Sequence, residues 1–265
     1  MHPVLFEFDL FGLNIPLYSY GVMIMFGAIA AHLYIGTQAK KQLNIDAEKT
    51  QALTRIIIFT AFIGGKLLFY MEDPAYYFAS VDRLLKNFRT GFVFYGSLLF
   101  AVPSVIWFFR KNQLPVLPML DIVAVAGVIL HAFGRMGCFL AGCCYGLPTD
   151  GPLYVEFTNE LSKAPLNQHL HPTQLYSITL LLCILVVLLM FKRHQRFTGQ
   201  LFLIYIALYA IGRGIIEVFR GDEERGYIIQ DYLTHSQFIS LMLVGVVIWY
   251  YIKLERNKAK STSAS

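Results

Sequence analysis

Long apolar segments dominate this chain and decide what it can fold into. A bilayer's hydrocarbon core, about 30 Å thick, needs about 20 helical residues to cross it. Seven segments of the sequence meet or approach that length. The first lies within 10–39, and the others are about 51–70, 90–109, 116–139, 172–191, 199–219 and 232–252. Because lipid offers no hydrogen-bond partner to open backbone, each segment is predicted to be a helix.

The composition excludes most other classes of protein. Of the 265 residues, 56% are apolar and only 15% are charged, whereas soluble domains carry about 25% charged residues. These values argue against a water-soluble enzyme and against a disordered chain. They predict an all-α polytopic membrane protein with seven transmembrane helices. The net charge of +5 does not indicate nucleic-acid binding in a chain of this composition. We therefore expect the protein to lie in a lipid bilayer and to bind no nucleic acid.

Basic residues are concentrated in the loops on one side of the predicted spans. The richer set is Lys40, Lys41, Lys49, Arg110, Lys111, Lys192, Arg193, Arg196, Lys253, Arg256, Lys258 and Lys260. The positive-inside rule places this set in the cytoplasm. The sequence therefore predicts an N-terminus outside the membrane and a cytoplasmic C-terminus.

The predicted organisation is one seven-span domain, 1–257, followed by a polar tail, 258–265, that we expect to be disordered. Its extracytoplasmic loops are 71–89, 147–171 and 221–231. The second of these loops is long enough to form a small extracytoplasmic head. Within it, 153–158 could form a strand and 159–163 a helical turn.

Charged side chains inside the sixth predicted span form a ladder on one helix face. Arg213 and Glu217 are four residues apart, and Glu217 and Arg220 are three apart, so all three share one face. Tyr209 extends that face by one turn. Two interpretations stay open: the ladder neutralises itself, or the two arginines present spare positive charge to an anion such as a lipid phosphate.

Arg135 lies in the fourth predicted span with no acidic residue within one helical turn. The nearest acid of that span, Asp121, lies about 21 Å away along an ideal helix. A charge at membrane depth costs about 2.5–3.5 kcal/mol on insertion scales. Arg135 is therefore expected to find its partner on another span or on a ligand.

Glycines recur after this arginine in a pattern that favours close packing or a broken helix. They are Gly134, Gly137, Gly142 and Gly146. Three cysteines, Cys138, Cys143 and Cys144, are interspersed among them. Their C-x4-C-C spacing is not a usual zinc pattern, and adjacent cysteines do not easily ligate one ion, so no metal is expected. Small apolar packing and a redox or nucleophilic role of Cys143 or Cys144 stay open.

Four ordered motifs give the chain a family resemblance. They are YGVM at 20–23, GRMGCFLAG at 134–142, HPTQLY at 171–176, and the ladder of Tyr209, Arg213, Glu217 and Arg220. Together they resemble the bacterial prolipoprotein diacylglyceryl transferases. Five positions depart from the family pattern: Tyr95 stands where a His is expected, Cys138 and Ala141 at usual Asn positions, Cys143 at a usual Glu position, and Ser177 where an acid often follows.

The resemblance implies an enzyme of the bacterial inner membrane that needs no cofactor. Such an enzyme transfers the diacylglyceryl group of phosphatidylglycerol to the lipobox cysteine of a preprolipoprotein, whose signal peptide it must bind. The resemblance implies catalytic roles for Arg135, Arg213 and Tyr95. It implies substrate binding by Tyr20, Gly134, Arg135, Gly137, Gly142, Gln174, Tyr209, Glu217 and Arg220.

Two alternatives stay open at this point. A diverged paralogue could act on another thiol or hydroxyl, and a non-enzymatic transporter of lipids or anions could share the arginines. A lipobox peptide assay separates these readings, because only the transferase adds diacylglyceryl mass to the peptide.

Overall fold

The computed structural model describes residues 1–10, 13–88, 91–221, 227–229 and 233–263. Its helices are α1 (Ser19–Leu43), α2 (Ala47–Glu72), α3 (Pro74–Tyr77), α4 (Val81–Phe88), α5 (Phe94–Lys111), α6 (Val116–Ala141), α7 (Thr173–Lys192), α8 (Gln200–Glu217) and α9 (His235–Ser263). Its strands are β1 (Val4–Leu10), β2 (Leu13–Tyr18), β3 (Tyr227–Ile229) and β4 (Leu233–Thr234), paired as β1–β2 and β3–β4.

Six helices of the described residues are long and apolar enough to cross a membrane. They are α1, α2, α6, α7, α8 and the part His235–Arg256 of α9. The chain is thus a mostly helical, multi-pass membrane protein. The remaining predicted span, 90–109, corresponds to α5, which has 18 residues and ends in Arg110 and Lys111. The count of seven and the orientation remain predictions.

The helix of the first predicted segment, which lies within 10–39, begins only at Ser19. Helix α1 starts at Ser19, and residues 13–18 instead form β2, which pairs antiparallel with β1. The physical reason lies in the local sequence: Pro16 cannot donate a backbone hydrogen bond within a helix. Polar and apolar residues also alternate in β1 between Phe6 and Leu10, which is the period of a strand. A β-hairpin therefore precedes the first helix.

The chain divides into two compact units, Met1–Tyr34 with Leu120–Ser265, and Ile35–Met119. In the second unit, α2 packs along α5, and the Ser97 hydroxyl donates to the Ala61 carbonyl at 2.8 Å. Lys66 is buried in the same unit, and its ammonium donates to the Gly91 carbonyl at 2.8 Å. This lysine is therefore solvated by backbone carbonyls.

In the first unit, α6, α7 and α8 share an apolar core. It consists of Val125, Val128, Leu181, Ile184, Leu188 and Leu201, all nearly inaccessible. Burial of such side chains contributes about 1.5–3 kcal/mol each in water, and in lipid it is the close packing that holds helices together. The core fixes the spacing of α6 and α8, the two helices that carry Arg135 and Arg213.

The predicted head between α6 and α7 has its own small core of Phe157, Ala164 and Leu170. The proposed strand at 153–158 is present only as isolated bridges, Val155 to Leu170 and Phe157 to Leu166. Residues 159–163 form turns, one closed by the Ser162 amide donating to the Asn159 carbonyl at 2.9 Å.

Helix α9 continues through Ser263, into the segment 258–265 for which we expect disorder. The residues Lys258, Ala259 and Lys260 favour helix by intrinsic propensity, which accounts for the continuation.

Asp121 lies in α6 and caps the start of α8. Its carboxylate accepts from the Gly199 amide at 2.6 Å, from the Phe202 amide at 3.0 Å, and from the Gln195 side chain. Gly199 itself offers no side chain for capping. Asp121 is buried in α6. Its carboxylate offsets the partial positive charge at the start of α8.

We expect Asp121→Ala to lower the free energy of unfolding by about 1–3 kcal/mol, because two buried amides lose a charged acceptor. Thermal unfolding of the purified protein in detergent measures this effect. Asp121→Asn keeps one acceptor oxygen and should lose less, whereas equal losses for the two variants would contradict the capping role.

Candidate active site

Helix α6 brings Arg135 against the tyrosines of α8. The Arg135 guanidinium lies within electrostatic reach of Tyr209, Cys138 and Cys144. One turn earlier on α6, His131 lies 3.3 Å from the Tyr205 hydroxyl, and its ring centre lies 4.7 Å from that of Tyr209. Aromatic and imidazole groups thus line the side of the arginine that faces the core.

No carboxylate in the described part of the chain forms an ion pair with Arg135. Its side chain is half-buried, and its hydrogen-bond partner is the side chain of Tyr209. A charged group in an apolar setting requires a compensating charge. The geometry therefore leaves Arg135 available to an anion that arrives from outside the protein.

Arg213, one helix away, is paired. Its guanidinium donates to the Glu217 carboxylate one turn along α8. The Glu217 side chain is only 1% exposed and that of Arg213 14%. This pair confirms that the two residues share one helix face.

Arg213 lies near two further arginines and one acid. Arg213 lies within electrostatic reach of Arg220, Glu217, Tyr209 and Arg135. Glu217 pairs with Arg213, and no carboxylate of the described residues pairs with Arg135, so Arg135 and Arg213 together keep a net positive charge. Such a cluster is suited to a phosphate group, which guanidinium binds in a bidentate manner.

Tyr20, at the start of α1, lies at the edge of this cluster. Its hydroxyl is within electrostatic reach of Cys138, Cys143, Cys144 and Arg135. The approach of α1 to α6 is tight, because a Cβ on Gly137 would lie 2.9 Å from the Tyr20 ring.

The loops after α6 and α8 are tied together beside the arginines. Gly146 pairs with Arg220 in an antiparallel bridge, and the Leu147 amide donates to the Phe219 carbonyl at 2.8 Å. A Cβ on Gly146 would lie 2.4 Å from the His171 carbonyl oxygen, so only glycine fits there. This tie fixes the backbone of Arg220.

Gln174, in the first turn of α7, is fully buried. Its amide nitrogen donates to the Cys143 carbonyl at 2.8 Å, while its Oε1 atom has no hydrogen-bond partner among the described residues. A buried acceptor without a donor costs about 1–3 kcal/mol. Gln174 can therefore accept a hydrogen bond from a hydroxyl or thiol of a bound molecule.

Three cysteine thiols lie beside Arg135. The Sγ atoms of Cys138, Cys143 and Cys144 are all within 4.8 Å of one another. The pKa of the Cys144 thiol is lowered because the thiols of Cys138 and Cys143 hydrogen-bond to its thiolate, and because Arg135 and Arg220 are near. These effects outweigh the opposing effect of burial.

The structure brings most of the predicted site residues into one region. Arg135, Arg213, Arg220, Tyr209 and Glu217 form the cluster described above, with Tyr20 at its edge. Gln174 reaches the same turn through the Cys143 carbonyl, and Gly142 begins that turn. At Gly134 a Cβ atom would lie 3.5 Å from the Ile24 side chain, which is an ordinary van der Waals distance. Tyr95 belongs to the other compact unit, where it is exposed, so its role stays a prediction.

The sequence interpretation did not assign His131 and Tyr205 to the site. The signal for His131 was its position one turn before Arg135, on the same face of α6. Tyr205 occupies the equivalent position one turn before Tyr209 on α8. Both residues could have been found by following the helix face of Arg135 and that of Tyr209 one turn toward the N-terminus of each helix.

A comparison with protein families shows which family the chain belongs to. The family model described as prolipoprotein diacylglyceryl transferase matches residues 3–253. This chain belongs to the prolipoprotein diacylglyceryl transferase family. The match includes all four motifs and every arginine of the cluster.

Similar proteins of the diacylglyceryl transferase family come from distant bacteria. The phosphatidylglycerol–prolipoprotein diacylglyceryl transferase of Clostridium tetani is 41% identical, over 95% of this chain and 97% of its own length. The second such transferase of Clostridium perfringens is 32% identical, over 94% and 96%. That of Rickettsia bellii is 31% identical, over 96% of each chain.

Proposed function

We propose that this protein transfers the diacylglyceryl group of phosphatidylglycerol to the lipobox cysteine of preprolipoproteins. The observation that carries this proposal is the arginine cluster: Arg135 pairs with no carboxylate of the described residues, and it lies near Arg213, whose partner is Glu217. Family membership supports the same activity, since the relatives above carry that name.

The reaction makes a specific demand on charge. The acceptor thiolate attacks the lipid glycerol carbon that bears the phosphate ester, a carbon–oxygen bond breaks, and glycerol phosphate leaves as an anion. Fixed guanidinium groups stabilise the negative charge that develops on the leaving oxygen. Arg135 and Arg213 meet that demand, Glu217 orients Arg213, and Tyr209 packs beside both.

The glycerol headgroup of the lipid offers hydroxyl donors. Gln174 has a buried oxygen that needs a donor, and the Tyr20 hydroxyl lies at the edge of the cluster. These two residues would hold the headgroup while Arg220 and the backbone near Gly137 and Gly142 shape its pocket. Tyr95, at the family's His position, would orient the acceptor thiol.

The proposed setting is the bacterial inner membrane, with seven spans, the N-terminus outside and the C-terminus in the cytoplasm. The distribution of basic residues supports this orientation. The signal peptide of the acceptor would then lie in the bilayer beside the extracytoplasmic head.

Mixing the purified protein with phosphatidylglycerol vesicles and a lipobox peptide tests the proposal. The expected result is a peptide mass increased by one diacylglyceryl group, with release of glycerol phosphate. A peptide that carries Ser in place of the lipobox Cys should gain no mass. Modification of that serine peptide would instead indicate a diverged acceptor, and lipid movement without any mass gain would indicate a transporter.

A further inference from the structure

The turn after α6 folds two cysteines back onto a third. Gly142 has a φ of +66° and Cys144 a φ of +60°. Residues other than glycine rarely adopt this left-handed backbone conformation. The Cys143 amide donates to the Cys138 carbonyl at 3.1 Å. This helix end therefore directs the vicinal thiols toward Cys138, within 4.8 Å.

The strained turn is held from outside. The Thr173 hydroxyl donates to the Cys144 carbonyl at 2.7 Å, and the Gln174 amide donates to the Cys143 carbonyl at 2.8 Å. A left-handed conformation is strained at a residue that has a side chain. Two hydrogen bonds from the start of α7 offset that strain and hold the three thiols together.

Three thiols at this separation match the donor set of a soft metal ion. Thiolates select Zn²⁺ and Cu⁺ over harder ions. Tetrahedral zinc with Zn–S bonds of about 2.3 Å places its sulfur atoms about 3.8 Å apart, so only a small closure of the cluster is required. Three protein ligands leave the fourth position open, as in catalytic zinc sites.

The position of the cluster suggests what the open coordination site would bind. The acceptor thiol, with an ordinary pKa near 8.5, must lose its proton before it attacks. In this chain the family's His position is Tyr95, and a phenol is a poorer base than an imidazole. The three thiols lie within electrostatic reach of Tyr20, and two of them within that of Arg135. The acceptor must approach this same region if the proposed function holds.

We propose that Cys138, Cys143 and Cys144 bind one Zn²⁺ ion, and that this ion takes the acceptor thiol as its fourth ligand. The catalytic half of this proposal rests on the proposed function. The sequence spacing argued against a metal because adjacent cysteines rarely ligate one ion. The positive φ at Cys144 removes that objection, since it turns both side chains to the same side.

The proposed step balances without any oxidant or reductant. Zinc displaces the protons of the three cysteine thiols, and it displaces a fourth proton to water when the acceptor binds as a thiolate. The acceptor sulfur forms its bond to the lipid carbon while the carbon–oxygen bond breaks. The electron pair leaves with glycerol phosphate, and the neutral thioether, a weaker ligand, dissociates from zinc.

Metal binding is tested on the full-length protein in phosphatidylglycerol vesicles after removal of metals with a chelator. We expect one Zn²⁺ per chain, measured by competition with a chromophoric chelator. Co²⁺ in place of zinc should give sulfur-to-cobalt absorption bands, and these should shift when a lipobox peptide is added. A serine version of the peptide should leave the bands unchanged.

Cysteine variants locate the metal site. Removing a residue that hydrogen-bonds to a metal ligand weakens metal binding about 10–100-fold. Removing a ligand itself should cost more, so Cys144→Ser and Cys138→Ser should each weaken zinc binding by about 100-fold or more. Cys183→Ser is the matched control, because Cys183 lies exposed on α7 away from the cluster. The zinc-dependent part of the transfer rate should fall in parallel with zinc affinity.

The outcomes separate the two proposals. Full transfer by the metal-free protein, or zinc binding that leaves the transfer rate unchanged, would refute the zinc mechanism and leave the transferase intact. A disulfide between two of the three cysteines in the purified protein, seen as thiols that react only after reduction, would also refute it. Zinc binding without transfer under any condition would refute the proposed function and the catalytic half of the inference.

Discussion

Arg135→Gln is expected to lower the rate of diacylglyceryl transfer by about 10²–10³-fold, the loss typical when one preorganised donor to a developing negative charge is removed. Glutamine keeps much of the side-chain length but not the charge. Because Arg135 has no carboxylate partner among the described residues, its removal leaves no buried acid behind, and the protein should still insert and fold. The initial rate of peptide mass gain measures the effect.

A second substitution and a matched control sharpen this test. Arg135→Lys keeps the charge but not the planar fork that binds phosphate through two parallel hydrogen bonds, so its rate should lie between those of the native protein and Arg135→Gln. Arg55→Gln removes another arginine from a membrane helix, an exposed one in α2, and should leave the rate unchanged. Full activity of Arg135→Gln would remove Arg135 from the site.

Glu217→Gln should destabilise the protein by about 3–5 kcal/mol, the cost of breaking a buried ion pair by removing one partner. The substitution keeps the shape of the side chain but removes the negative charge that Arg213 contacts. Three clustered guanidinium groups would then repel one another in a medium of low dielectric constant. Thermal unfolding in a neutral detergent measures the loss.

Anionic lipid should partly rescue this variant. If the cluster binds a phosphate group, phosphatidylglycerol supplies the missing negative charge, so it should raise the unfolding temperature of Glu217→Gln more than that of the native protein. Glu160→Gln is the control, since Glu160 is exposed in the head. Its substitution should change neither the unfolding temperature nor the rise in that temperature caused by phosphatidylglycerol. An unchanged stability of Glu217→Gln would show that other groups neutralise the arginines.

The membrane helices were predictable because their signal is long and depends on composition. Six of the predicted segments correspond to helices able to cross a membrane, and the motif residues on α6 and α8 lie together as the resemblance implies. The ladder of Arg213 and Glu217 followed from helical spacing alone. The N-terminal β-hairpin was missed because an apolar strand next to an apolar helix extends the same hydrophobic run.

The cysteine cluster could not be foreseen from spacing. Whether adjacent cysteines reach one point depends on the backbone dihedral angles between them, and the +60° φ of Cys144 has no signature in sequence. The role of Asp121 was equally hidden, because its partners are backbone amides at the start of α8, which follows about eighty residues later. The cysteine cluster thus depends on local backbone geometry, and the cap depends on a contact between distant parts of the chain.

The surplus positive charge around Arg135 has a consequence for turnover. In a bilayer rich in anionic lipids, some phosphodiester should neutralise these guanidinium groups at all times, because the vacant state carries uncompensated charge in an oily medium. Spent glycerol phosphate would then depart by exchange with an incoming lipid. We therefore expect the rate of product release to rise with the mole fraction of anionic lipid, including anionic lipids that are not donors.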